Sequence, residues 1–445
     1  MKLRLISALT VSLFLLSLLP ATSTAAPLDS CRISTAPYQT VSLGFPVAPE
    51  RLKYRSTPKL LVLPFRLSDT PNFTFGDLLK ADYQAAADLI FKMSNGNSKP
   101  EMVFAPVFDL PDTVADMNQL RINQQQQWQR DESKSTWGFI RRVIAASDSK
   151  IDFTGIDGVL MHGSSTSNQS DIAEAMMFSK APRDPWFRTI PTAEGELLNA
   201  VLMDKRKSIN TIAHEIMHLY GLTDLYGSPD SPSRMSMMAS DQDTLLSYEK
   251  WVLGWIPDSS VQCVLAASDI DPTKVSTRLT IPNTNAEQVL VINQGKAGKA
   301  LIIETLTNRS TRYLAFYSLD NEARPPIVNF KAPLNLPSEG VAINNLGGVG
   351  VQMTSPEFTL LISDMTAEQI TLDLIPKAQL ANAAALISAA EANRTRIAQA
   401  AATKPNVPTE VITKPKKKTI VCIKGNTVRK VKAIKPKCPT GFKKR

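Results

Sequence analysis

Two hydrophobic rhythms alternate through the first half of the chain. From Lys59 the run LLVLPFRLSD is short and almost continuously apolar, as a strand buried on both faces requires. From Asp77 to Met93 the apolar positions shift to helical spacing, Ser94-Asn95-Gly96-Asn97 supplies a turn, and Met102–Leu110 reads as a strand again. A long polar helix is expected over 116–146, then a strand over Ile151–Met161, IDFTGIDGVLM. The stretch 163–194 is rich in Ser, Asn, Pro and Asp without a period and reads as loops. Leu197–Met203 is a short strand leading into a further helix, and Ser247–Pro257, SYEKWVLGWIP, is a helix ending near Gly254 with Trp251 and Trp255 directed to the core. Strands interleaved with helices predict an α/β (α+β) layer structure around one sheet.

Past Cys263 the texture changes to short apolar runs separated by turns, at Ser276–Pro282, Val289–Ile292, Leu301–Thr305, Tyr313–Ser318, Phe358–Ile362 and Ile370–Ile375. That spacing predicts a smaller all-β domain. An Ala-rich helix over Lys377–Ala402, a Pro/Lys linker over Lys404–Lys418, and a hairpin built on Thr419–Ile423 and Thr427–Ile434 around Gly425-Asn426 follow. At the other end, Lys2 and Arg4 precede an apolar run, Leu5–Leu19, then Pro20 and small residues, the pattern of a secretory signal peptide. That run is short for a membrane span and no other stretch is long and apolar enough, so export without a transmembrane segment is expected. The division is a signal peptide at 1–26, an N-terminal segment at 27–58 that could serve as a propeptide, an α/β domain at 59–260 and a β-rich domain at 261–376. Helix and linker occupy 377–418, and a basic tail 419–445. More than one core is expected for this length.

An apolar fraction of 43 % is ordinary for a folded chain and argues against disorder. Four cysteines suit an oxidising compartment. Cys422 with Cys438 is the local pairing and leaves Cys31 with Cys263; alternatively Cys31 could act as a thiolate that blocks a metal. The chain carries 50 basic and 41 acidic residues, but 13 of the basic ones, and no acidic one, lie in 414–445. Subtracting this tail leaves a mildly acidic body. Export makes anionic cell-envelope polymers a better partner for the tail than nucleic acid, and a merely solubilising role is the plain alternative.

The chemistry concentrates in TIAHEIMHLYGLTDLYG, Thr211–Gly227, which holds two of only three histidines. His214 and His218 stand one helical turn apart on one face and can share a metal ion, with Glu215 beside them as base. A catalytic zinc takes three protein ligands and leaves a fourth position for water. Gly221 can end the helix in a left-handed conformation and return Asp224 toward the metal as third ligand. Glu249 is the alternative acid, and two core histidines with no metal are the bland alternative. Leu197–Met203, as an edge strand beside the metal, could pair with an extended protein or peptide substrate.

The run HEIMHLYGLTDLY resembles the active-site helix of the immune inhibitor A-like secreted metallopeptidases (family M6), whose motif is close to HEFGHxLGLPDLY. It keeps both histidines, Glu215, Gly221, Leu222, Asp224, Leu225 and Tyr226, and departs at Ile216, Met217 and Thr223. Lys250, Leu253, Gly254 and Trp255 match the family's KxxLGW segment. The resemblance covers about 59–255 and is faint to about 375. It implies a metzincin-like zinc endopeptidase, zinc on His214, His218 and Asp224, Glu215 as general base, and Met238 in SPDSPSRMSMMAS as an apolar floor beneath the metal. Asp241 and Asp243 could add oxygen ligands for calcium, or form an exposed acidic loop. His162 could polarise a substrate carbonyl, although a strand-end histidine hydrogen-bonded to the backbone is the simpler reading. The rival function is a catalytically silent surface protein acting through the β domain and basic tail, against which the intact Glu215 argues.

Overall fold

The computed structural model describes residues 27–445 except 36–38, 126–133, 165–171, 181–187, 227–234, 241, 285, 309–310, 324–326, 329–340, 343–348, 355–356, 404–417, 426 and 434. The expected signal peptide, most of the Pro/Lys linker, Asp241 and Asn426 of the hairpin turn therefore lie outside the described residues. Two compact units result, one running to Thr395 and one from Arg396 to Arg445.

The first unit is organised on β1 (Lys59–Arg66), the run of continuous apolar character. Leu61, Leu63 and Phe65 enter one core cluster, and Leu60 and Val62 are equally buried at the alternate positions, as a doubly covered strand requires. Helix α1 (Asp77–Met93) leads to β2 (Glu101–Phe104) and β3 (Phe108–Asp109), both parallel to β1. The single strand expected over Met102–Leu110 is thus divided, with Pro106, which has no N–H for a ladder, between the two pieces. The single polar helix expected over 116–146 is also two, α2 (Val114–Gln125) and α3 (Thr136–Ser147). Ser135 starts α3 afresh by accepting the Gly138 N–H at 3.0 Å. Phe139, Ile140, Val143 and Ile144 of α3 complete the core cluster beneath the sheet.

On the other side of β1 lie β4 (Gly158–His162), β8 (Asn199–Met203) and β5 (Ala173–Met177), giving the order β2-β1-β4-β8-β5 with only β5 antiparallel. A small hairpin of β6 (Ile190–Thr192) and β7 (Gly195–Leu197) precedes β8. Two expectations change here. The stretch 163–194, read as loops, supplies β5 and β6; and the strand before the motif helix is internal, so the free sheet edge belongs to β5. An antiparallel edge strand with only one residue, Met176, fully buried carries too weak a pattern to stand out.

The motif helix α4 (Ile209–Tyr220) packs on α1 and β5, followed by α5 (Ser247–Val252). Trp251 and Trp255 are both buried, but Trp255 follows the turn at Gly254 and meets Tyr220, while Trp251 meets Phe45 and Tyr248. Then come β9 (Val261–Leu265), the short α6 (Ala266–Asp269), β10 (Thr277–Pro282), β11 (Gln288–Asn293), β12 (Lys299–Asn308) and β13 (Thr311–Asp320). The strands β14 (Ile327–Val328), β15 (Val341–Ala342), β16 (Gln352–Thr354), β17 (Phe358–Met365) and β18 (Gln369–Pro376) precede α7 (Ala384–Thr403). These strands form two sheets, β14-β13-β12-β11-β9 and β10-β18-β17-β16. The whole is a mixed α/β architecture with several sheets and seven α-helices among the described residues. None of these helices is long and apolar enough to cross a membrane. The second unit holds the end of α7 and a three-stranded sheet, β20-β19-β21, from β19 (Lys418–Lys424), β20 (Thr427–Ala433) and β21 (Lys443–Lys444).

Both disulfides pair as anticipated, Cys31 with Cys263 and Cys422 with Cys438. Cys31 is therefore no thiolate latch, and its sulfur is buried beside β9 and β11. The segment 27–58 is built into the first unit: Ile33, Leu43, Val47 and Leu52 are buried, and the buried Arg51 guanidinium donates to Asn199 Oδ1 at 2.9 Å.

Candidate metal centre

Helix α4 begins where Ser208 Oγ accepts the Thr211 N–H at 3.0 Å and ends at Gly221, whose φ is 111°. A Cβ at 221 would come within 2.4 Å of Val47, so both the backbone conformation and the neighbouring strap demand glycine. The strap also holds the turn directly, through the Ser42 N–H on the Gly221 carbonyl at 2.9 Å. After this reversal Asp224 Oδ1 stands 3.2 Å from His214 Nε2 and 3.3 Å from His218 Nε2.

Each imidazole is oriented from behind. His214 Nδ1–H donates to the Met237 carbonyl at 2.9 Å and His218 Nδ1–H to the Leu222 carbonyl at 2.8 Å, which turns both Nε2 atoms toward Asp224. The three ligand atoms lie within 4.8 Å of one another, and no other His, Cys, Asp or Glu group converges in this way among the described residues. Ligand atoms about 2.0–2.1 Å from a tetrahedral zinc stand about 3.3–3.4 Å apart, so the spacing around Asp224 and the donor set of two nitrogens and one carboxylate oxygen fit that metal. The histidine side chains are 10 % exposed and that of Asp224 49 %, which leaves the site open on the aspartate side.

Glu215 is buried and accepts a hydrogen bond from the Ala175 N–H of β5. Burial raises its carboxyl pKa, opposed by His218 and His214. Burial also opposes charge on His218, but the hydrogen bond that it donates to Asp224 and the charges of Glu215 and Asp224 outweigh it and push His218 up to about 9. Burial likewise works against the Asp224 carboxylate, and the bonds from His214 and His218 overcome it and hold Asp224 well below the usual range. Tyr226 is exposed; its ring stacks on His214 at 5.8 Å, and its hydroxyl is 3.3 Å from His214 Nε2. Partial desolvation of the phenol where it meets His214, with the charges of Asp224 and Glu215, pushes Tyr226 up to about 12.

A second turn supports the first. Ser236 Oγ donates to Glu249 Oε2 at 2.6 Å and accepts the Met238 N–H at 3.0 Å, while the Met238 carbonyl accepts the Leu225 N–H at 2.8 Å. Met238 is fully buried in this turn. Glu249 also takes the Leu246 N–H at 2.8 Å, so the structure brings Asp224, and not Glu249, to the two histidines. His162 ends β4 in an aromatic box of Phe73, Phe75 and Tyr83, with Nδ1 2.9 Å from the Tyr83 hydroxyl; burial pushes it down to about 4. It bonds a side chain and not the backbone, and it is outside the converging group. Asp243 is 3.6 Å from Lys92 and belongs to no ligand cluster.

Sequence reasoning missed the Met237 and Leu222 carbonyls and the Ala175 N–H, because backbone atoms carry no residue signature. Tyr226 had a signal, a phenol two residues past Asp224 inside the motif. Comparison of the chain with models of known protein families gives no match, and comparison with curated proteins likewise gives none.

Proposed function

We propose that the protein is a secreted zinc endopeptidase with a metzincin-like catalytic domain, akin to the immune inhibitor A-like metallopeptidases. The observation that carries the reading is the convergence of His214 Nε2, His218 Nε2 and Asp224 Oδ1 on one point, with Glu215 on the same helix. The antiparallel edge strand β5 beside α4, the glycine turn and the buried methionine turn are in keeping with it. Two disulfides suit export.

His214, His218 and Asp224 would hold the zinc, which when bound polarises the scissile carbonyl and acidifies a water. Glu215 would accept a proton from the water that attacks the carbonyl carbon. It returns the proton to the departing amine nitrogen, and a carboxyl made more basic by burial suits both transfers. The outer edge of β5, apart from the Ala175 N–H that Glu215 takes, would align an extended substrate backbone, which grips many sequences alike. The Tyr226 hydroxyl, on the open side of the site, donates to the substrate oxygen as negative charge grows on it.

Metal content measured together with cleavage of an unstructured protein substrate tests the reading. About one tightly held zinc per chain and chelator-sensitive cleavage are expected. Zinc-free protein that cleaves undiminished would overturn it.

A further inference from the structure

The second compact unit has a surface unlike the rest of the chain. Its sheet contains no acidic residue, and Cys422 is the one buried residue among the described positions of 419–445. The Cys422–Cys438 bond therefore substitutes for a core. Lys424, Arg429, Lys430, Lys432, Lys443 and Lys444 are all exposed. With no Asp or Glu side chain in this stretch to offset them, these charges repel one another.

Cross-strand register divides the cations between the two faces of the sheet. Lys430 lies opposite Val421, Lys432 opposite Thr419 and Lys443 opposite Ile423, which puts them on one face. Arg429 and Lys444 both lie opposite Cys422, on the other face with Lys424. On β20 the cations Lys430 and Lys432 recur every second residue, about 6.8 Å apart. A flat anionic membrane can neutralise only one such face, whereas a flexible chain can follow both. The stretch has a single aromatic residue, Phe442, and the Arg429 guanidinium lies over its ring at 5.5 Å, so no open platform exists for stacking bases.

We propose that residues 419–445 form a docking module for a flexible linear polyanion without bases, wrapped across both faces of the three-stranded sheet. This goes beyond the metal centre and does not rest on it. A cell-envelope polymer with charged repeats has this chemistry, and the module would hold the chain near such a polymer by counterion release.

The test uses the mature chain with poly(glycerol phosphate) as the probe, over a series of salt concentrations. The variants are Lys430→Gln with Lys432→Gln on one face, Arg429→Gln with Lys444→Gln on the other, and all four together. Each pair is expected to lower the slope of log affinity against log salt by about 1.4, and the quadruple variant to bind at least roughly tenfold more weakly at low salt. Chelator-stripped chain is expected to bind equally well, which separates this outcome from any result on peptide hydrolysis. Mass spectrometry checks that Cys422–Cys438 is intact in every variant. Unchanged affinity in the quadruple variant overturns the proposal. So does tighter binding to phosphatidylglycerol vesicles with only one face contributing, which assigns the surface to membranes, or tighter binding to oligothymidylate, which assigns it to nucleic acid.

Discussion

Two centres of ionisable groups hang from the same turn, and they are built on opposite plans. At the first, Met237 holds His214 from behind, and three ligand atoms converge on a point that solvent reaches beside Asp224. At the second, Ser236 bonds Glu249, and Glu304 of β12 accepts the Tyr248 N–H at 2.7 Å. Both carboxyls are buried, and burial pushes Glu249 up to about 7 and Glu304 up to about 8. Lys250 is nearby but is paired with Glu287 at 2.6 Å. The buried carboxyls tie α5 to the turn and to β12 by separate bonds, and no third ligand atom joins them among the described residues. The difference is one of aim and access: at the first, three ligand atoms are directed at one point that solvent reaches, whereas at the second each carboxyl is held by its own bonds in the interior. Charge and burial are common to both.

The sharpest way to break the comparison is at the base. Glu215→Gln is expected to retain zinc and fold but to lose about 10²–10⁴ in turnover, since an amide cannot take the water's proton. Near-normal turnover would remove Glu215 from that role. The next test exchanges the two centres. Asp224→Ala should weaken zinc binding by more than the roughly 10–100-fold of a supporting residue, read by competition with a chelator. Glu249→Ala should leave zinc occupancy nearly unchanged while losing about 1–3 kcal/mol of stability for each buried donor it strands at Ser236 and Leu246. The reverse ranking would mean that the ligand comes from α5.

Gly221→Ala probes the hinge of the open centre. A left-handed φ and a 2.4 Å approach to Val47 predict a loss of about 1–3 kcal/mol in denaturant unfolding, with weaker zinc binding as the Asp224 turn shifts. Wild-type stability would show that the strap yields.

The last test concerns the buried centre and pH. Glu304 has a folded pKa of about 8 against 4.5 for the free group, so the folded chain holds a proton that the unfolded chain releases. Its contribution is fully present below about 4.5 and is lost as pH rises through about 8. Glu304→Gln keeps an acceptor for the Tyr248 N–H and cannot ionise. Its melting temperature relative to wild type is expected to climb between pH 5 and pH 8.5, and a flat difference in calorimetry would refute the shift.

Much of the parallel sheet was legible because β1 and β4 are buried on both faces and so carry continuous apolar runs. β5 was not, since its edge leaves Glu174 in place and its role depends on a partner strand 22 or more residues away. The split of the polar helix turned on a cap at Ser135 that competes with an unbroken period.

The chain by itself determined that His214 and His218 share a helix face, that a glycine follows at the distance needed for reversal, and that four cysteines have one local pairing. These are consequences of helix periodicity and short-range stereochemistry, which act over a few residues. Tertiary structure alone decided that Asp224 rather than Glu249 meets the histidines, that the Met237 and Leu222 carbonyls set their ring orientation, and that Val47 and Ser42 of the N-terminal strap close on Gly221. The Met237, Val47 and Ser42 contacts join atoms far apart in sequence, and even the local ones, at Leu222 and Asp224, depend on a turn whose direction is set only when the layers pack.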